Sequence, residues 1–148
     1  MKLKEDFFAR DTEKVARELM RKYLVREIGG KTIYGEIIRV AAYRGEERRD
    51  TKSILYLPGK IYMYPFRGHH ILNISTEDKG IPACVLIYQI KKDGEELGPI
   101  KLVKELKITK EFDGLSIAGE ELYIDDFIVE KTPSDIPTCV KRYWLKKV

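Results

Sequence analysis

From Leu24 to Ile90 the chain offers one strand-like run after another, and the turns between them are short. "LVREI" and "TIYGEIIRVAAY" are rich in β-branched and aromatic residues and meet at "GGK", which reads as a hairpin. After the polar segment "RGEERRDTKS" come "ILYLPGKIYMYPF", "HHILNIS" and "IPACVLIYQI". Pro58-Gly59 breaks the first of these, and "PFRG" (Pro65 to Gly68) is a sharp, exposed turn. So long a succession of strands must build a sheet. Only two helices flank it. "RDTEKVARELMRKYL" has Asp11 or Thr12 as a cap, with Val15, Leu19 and Met20 on one face and Ala16 and Tyr23 beside them. "GPIKLVKELKI" has Pro99 near its first turn and Leu102, Val103 and Leu106 as its apolar positions. "ELYIDDFIVEK" and "CVKRYWLKK" read as two closing strands. The expected architecture is α+β, with a curved, mostly antiparallel sheet and a few flanking helices in a single domain, residues 1–148.

Composition narrows the class. At 148 residues the chain is long enough for a real core. Hydrophobic residues make up 43% and charged residues 35%, the balance of a soluble protein with a heavily charged surface. No apolar run reaches membrane-spanning length, and "MKLKEDFFARD" has no apolar core of a signal peptide, so an intracellular protein with no membrane partner is expected. The net charge of +4 permits nucleic-acid binding without demanding it. Asn73 is the sole asparagine and Gln89 the sole glutamine, a scarcity seen in thermophile compositions. Cys84 and Cys139 stand in apolar, strand-like surroundings and read as buried thiols. With His69 and His70 the only histidines, and one on each face of a strand, no metal site is expected.

Candidate functional residues cluster in two places. Along "KIYMYPFRGHH" the period-two alternation puts Tyr62 and Tyr64 on one face and Met63 on the other. Phe66 and Arg67 then protrude at the turn, where an aromatic and a guanidinium make a wedge suited to entering between bases. Read alone, the same residues also fit core tyrosines and an ordinary turn. Arg44, Arg48, Arg49 and Lys52 form a cationic loop that suits either phosphate contacts or simple solvation. Lys52 and Lys60 carry no sign of an activated amine. Glu36, Glu46, Glu47 and Asp50 have no spacing that marks a catalytic pair, and no glycine-rich phosphate loop or nucleophile elbow is present.

Taken together, these segments resemble the alkyladenine (3-methyladenine) DNA glycosylase family over nearly the whole chain and in the family's order. "FFARDTEKVARELMRKYLVREI" is similar to the family's opening phenylalanine pair, helix and "LV-R" strand. "GEIIRVAAYRG" resembles its strand ending in Glu-Ala-Tyr-x-Gly, and "PGKIYMYPFRG" its Pro-Gly-x-x-Tyr-x-Tyr hairpin. "LNIS", "ACVLIY", "GPIKLVKELKITKEFDG" and "RYWLKK" match later segments. The resemblance implies a monofunctional enzyme, monomeric and without metal or cofactor. It would flip damaged purines out of double-stranded DNA and hydrolyse their N-glycosidic bonds. It implies that Tyr43 and Tyr64 stack on the two faces of the flipped base. Asn73 would disfavour the exocyclic amine of guanine, and Arg67, with Phe66 beside it, would replace the usual tyrosine wedge.

The departures matter as much. The family's general-base glutamate, two residues before the stacking tyrosine, is Ala41 here. The family's histidine in the following loop has no match, and ungapped counting reaches Lys52. The arginine of the "CVL" strand is Tyr88. The stretch between "YQIKK" and "GPIKL" is so short that a family helix is missing. Three accounts fit Ala41. It is a designed replacement of glutamate, the account that asks least of the sequence. It is a natural change with Glu46, Glu47 or Asp50 serving from the next loop. Or the protein binds lesions without excising them.

Overall fold

The computed structural model describes residues 1–44, 56–78 and 80–126, and the backbone alone of 138–142. A short 3-10 turn (Glu5–Phe8) leads into helix α1 (Thr12–Leu19). Strands β1 (Tyr23–Ile28), β2 (Lys31–Arg44), β3 (Ile61–Phe66), β4 (His69–Ser75), β5 (Ala83–Lys92) and β6 (Glu95–Leu97) follow. Helix α2 (Pro99–Glu105), β7 (Leu122–Asp125) and β8 (Thr138–Arg142) complete the described elements. The α+β class is as expected.

The sheet runs β3-β4-β5-β2-β1-β7, with β6 added to β5 and β8 to β2. Among the described strands every pairing is antiparallel except β2 with β8, which is parallel. Strand β2 is the spine. Its first half pairs with β1 (Tyr23↔Glu36 to Ile28↔Lys31), and its second half lies between β5 and β8. The β2–β5 register shifts between Ile37 and Arg39 and again between Arg39 and Val40. Irregularities of this kind increase local twist, which is how one long strand serves both halves of a curved sheet.

Two local readings needed correction. The first helix ends at Leu19 and not near Leu24, because Met20 turns extended and Arg21 takes φ +72°. Tyr23 therefore opens β1 and is not on the helix face. The short stretch before α2 makes its own strand: Asp93 and Gly94 turn at φ +51° and +79°, and β6 folds back on β5. The cap was legible, since the Asp11 side chain accepts the Lys14 N–H.

Strand alternation sorts the side chains. Ile61, Met63, Leu72, Ile74, Val85, Ile87, Val40 and Ala42 face the main core, where Val15, Ala16 and Leu19 of α1 and Leu102, Val103 and Leu106 meet them. The intervening residues face the other way. There Ala41, Ile71 and Leu86 form a second, smaller cluster rimmed by Tyr43, Tyr64, Phe66, Tyr88 and Ile100. That second face holds the candidate site.

Candidate base-binding pocket

One cross-sheet row sets the floor. Tyr62 on β3 lies opposite Asn73 on β4, Asn73 opposite Leu86 on β5, and Leu86 opposite Ala41 on β2. Nearer the hairpin tip, Tyr64 is paired with Ile71. On the other side of the row, Tyr43 is paired with Cys84, which is also opposite Ser75. Tyr43, Tyr64, Phe66, Ile71, Asn73, Leu86, Tyr88 and Pro99 enclose a cavity of about 250 Å³. The volume suits one planar base better than a large ligand.

The structure thus brings Tyr43, Tyr64, Phe66 and Asn73 together in one cavity, although they come from three strands. Tyr43 and Tyr64 are half-buried and Asn73 is buried, with 3% exposure. Tyr64 is braced by Tyr62, whose ring lies edge-on at 5.8 Å. Ala41 lies in the apolar cluster beneath, 3% exposed. Its methyl offers no proton acceptor, and among the described residues no carboxylate lines the cavity.

Sequence reasoning missed several walls. Leu86 and Tyr88 share a face with Cys84 by simple alternation along "ACVLIY", so the signal was there. The Arg39 guanidinium lies 5.8 Å from the Tyr88 ring centre, within cation–π range. Pro99 and Ile100 come from α2, and nothing local predicted that this helix start would close the cavity.

The hairpin tip is a two-residue turn between the paired Phe66 and His69. Arg67 and Gly68 take φ +51° and +80° and are exposed. Left-handed geometry is comfortable for glycine and costly for arginine. Two-residue hairpin turns take positive φ at their central positions, so the turn itself imposes this geometry. The Arg67 guanidinium lies 5.0 Å from the Phe66 ring centre. Arg67 is exposed, but Phe66 is half-buried and packs on the Ala41, Ile71 and Leu86 cluster, so of the two residues expected to protrude only the arginine does.

Arg44 closes β2 next to Tyr43. Its Nε donates to Glu77 Oε2 at 2.7 Å. Glu77 also accepts from the Thr12 backbone N–H at 3.1 Å and from the Thr12 hydroxyl. Burial pushes the Glu77 carboxyl up, but the hydrogen bonds from Thr12 and Arg44 outweigh it and hold the group below its ordinary range. The other expected phosphate contacts, Arg48, Arg49 and Lys52, lie outside the described residues. So do the substitute bases Glu46, Glu47 and Asp50. Lys60 Nζ is engaged with Glu5 at 2.8 Å. No group of three metal-ligating side chains occurs among the described residues, and no described helix is long and apolar enough to cross a membrane.

A larger opening of about 640 Å³ lies on the far side of Tyr64, lined by Tyr62, Met63, Pro65, His70, Lys110, Glu111 and Asp113. Tyr62 is 1% exposed, clamped edge-on between Tyr56 and Tyr64. Of the two, the smaller cavity is the one with the half-buried Tyr43 and Tyr64 both on its walls.

Comparison with known proteins shows the family. Residues 6–142 match the family model for methylpurine-DNA glycosylase (MPG). A protein of Clostridium perfringens (strain 13 / Type A), named "Putative 3-methyladenine DNA glycosylase", is 36% identical over 88% of this chain and 82% of its own length. Proteins with the same name from Clostridioides difficile (strain 630) and Anaeromyxobacter dehalogenans (strain 2CP-1 / ATCC BAA-258) are 32% and 34% identical. They align over 84% and 85% of this chain, and over 80% and 68% of their own lengths. A cavity walled by two tyrosines, a carboxamide on its floor and a matching family pattern across most of the sequence lead to one conclusion: the chain belongs to the methylpurine-DNA glycosylase family, whose work is the repair of alkylated DNA.

Proposed function

We propose that this chain flips alkylated or deaminated purines out of duplex DNA and excises them, with Tyr43 and Tyr64 holding the base and Asn73 screening it. The observation that carries the reading is the 250 Å³ cavity on which these three residues converge. Stacking on aromatic walls is worth roughly 1–3 kcal/mol per base, comparable with the few kcal/mol that extrusion costs. The Phe66–Arg67 tip enters the minor groove and fills the gap the base leaves. Arg44, Arg48, Arg49 and Lys52 contact the flanking backbone. The protein works as a monomer in the compartment that holds the DNA, without a metal or cofactor.

Hydrolysis breaks the bond between the base nitrogen and C1′. The bond electrons leave with the base, water oxygen bonds to C1′, and the water proton is released. Ala41 can neither orient nor deprotonate that water, and loss of general-base help typically costs about 10²–10⁴-fold. Cationic lesions such as 3-methyladenine leave as neutral molecules and need least assistance. Neutral hypoxanthine and ethenoadenine need most. The chain therefore acts best on cationic lesions and is impaired on neutral ones.

The test is alkali-dependent nicking of a hypoxanthine-containing duplex by this chain and by Ala41→Glu. The substitution is expected to raise cutting by about 10²–10⁴-fold and to change cationic-lesion release much less. Equal gains on both lesion classes would defeat the lesion-class argument. Ala41, which has no carboxylate to offer, favours a second reading, a damaged-DNA-binding module on the same fold. If neither protein cuts any lesion and both bind, that second reading prevails.

A further inference from the structure

We propose that Cys84 is a positioning residue that fixes which end of the Asn73 amide faces the base, and so sets discrimination against purines carrying an amine at C2. This rests on the reading of Asn73 as the residue that screens the base.

The two side chains meet because of register. Leu86 is opposite Asn73, so Cys84, two residues along β5, projects from the same face diagonally across from it. The Cys84 thiol donates to Asn73 Oδ1 at 3.3 Å. On the other side, Asn73 Nδ2 donates to the Ile71 carbonyl at a long 3.5 Å. Reversing the amide would set Oδ1 against the Ile71 carbonyl, two acceptors in contact, and would leave the S–H donor facing an NH₂ group. Both contacts therefore select one orientation. Water cannot replace either partner easily, because Cys84 is 0% and Asn73 3% exposed. Ser75, opposite Cys84, is no rival donor, since its hydroxyl donates to the Leu57 carbonyl at 2.6 Å.

The consequence is chemical. An Asn73 amide with its oxygen turned to the thiol has a second N–H to offer, and Asn73 lines the cavity. A donor there donates to a purine ring nitrogen and opposes an exocyclic amine. With the orientation unlocked, the amide oxygen can turn to the base and accept from that amine.

The experiment measures release of 3-methyladenine and 7-methylguanine from methylated duplex DNA by the intact chain and by variants. Only 7-methylguanine carries the C2 amine. Cys84→Ala, which removes the donor, is expected to shift the release ratio toward 7-methylguanine by about fivefold. Cys84→Ser, which keeps a donor, should hold the ratio within about twofold of the starting protein. Because Asn73 is the only asparagine and Gln89 the only glutamine, two side-chain amide pairs are expected in a ¹⁵N spectrum. The Asn73 pair should move in Cys84→Ala more than in Cys84→Ser. An unchanged ratio and an unmoved Asn73 resonance in Cys84→Ala would overturn the proposal. Cys84→Val, apolar and without a donor, takes its place should the alanine variant not fold. Asn73→Ala is the control for the underlying reading. If it leaves the ratio unchanged, Asn73 does not screen the base, and the amide resonance still decides the Cys84 contact. If no base is released by any variant, competition binding of the two methylated duplexes supplies the ratio.

Discussion

On β4, Leu72 and Ile74 point into an aliphatic core, while Ile71 and Asn73, one residue away, point into a cavity with aromatic walls. The same alternation runs along β5, where Val85 and Ile87 are core and Leu86 and Tyr88 are pocket, and along β2, where Val40 and Ala42 are core and Ala41 and Tyr43 are pocket. The two faces differ in what they leave to do. The core face is closed by α1 and α2 with branched aliphatic side chains at or near zero exposure. The pocket face is only partly covered. Its tyrosines keep ring area uncovered, and its single carboxamide is held by a thiol and a carbonyl. Core and cavity wall are thus written on alternate residues of the same strands, and a shift of one residue in register would exchange them.

Three perturbations can break or sharpen this contrast. The largest effect belongs to the core face. Leu72→Ala, at 0% exposure, should lower unfolding free energy by about 2–5 kcal/mol, measured by urea denaturation, while lesion preference of the folded fraction stays the same. A changed preference would mean that the faces are coupled. Next come the pocket walls. Tyr43→Ala and Tyr64→Ala should each weaken binding to lesion-containing duplex by about 1–3 kcal/mol, read by fluorescence anisotropy against undamaged DNA. The melting temperature should fall much less than in the core variant. A comparable loss of stability would show that these rings are structural.

The smallest effect lies at the Arg44–Glu77 pair, where β2 meets the start of α1. The Glu77 pKa is depressed in the folded protein. Its stabilisation is therefore complete above the ordinary carboxylate pKa of about 4.5 and is lost as pH falls through that value toward the lower folded one. Glu77→Gln should cost about 1 kcal/mol or less at pH 7 and should flatten the acid limb of the stability–pH curve. An unchanged acid limb would assign acid sensitivity to other carboxylates, such as Glu5, Glu18 and Glu27, which are also depressed by their hydrogen bonds.

Much of the fold was legible because the local rules agree with it. Asp11 caps α1, Pro99 opens α2, and period two in "YMY" and "LNIS" puts the right residues in the core. What stayed hidden depends on partners distant in sequence or on unusual backbone. Nothing about Arg21 announces a φ of +72°, so the end of α1 was misjudged. The parallel pairing of β8 with β2 joins residues about a hundred positions apart, and strand propensity does not name a partner. At the site, family resemblance singled out Tyr43, Tyr64 and Asn73. The alternation of β5 alone would have added Leu86 and Tyr88. Pro99 required the tertiary fold, and the thiol behind Asn73 required the register.

The parallel pairing has one further consequence, for synthesis. Of the described strands, β8 leaves the ribosome last, and it lies beside the half of β2 that carries Ala41 and Tyr43. A nascent chain lacking it holds that half by β5 on one side only, with backbone donors and acceptors bare on the other. The half of β2 that carries Tyr43 is therefore flanked on both sides only once the last of the described strands has arrived. A chain released early would be prone to pair edge to edge with its neighbours before it could act on DNA.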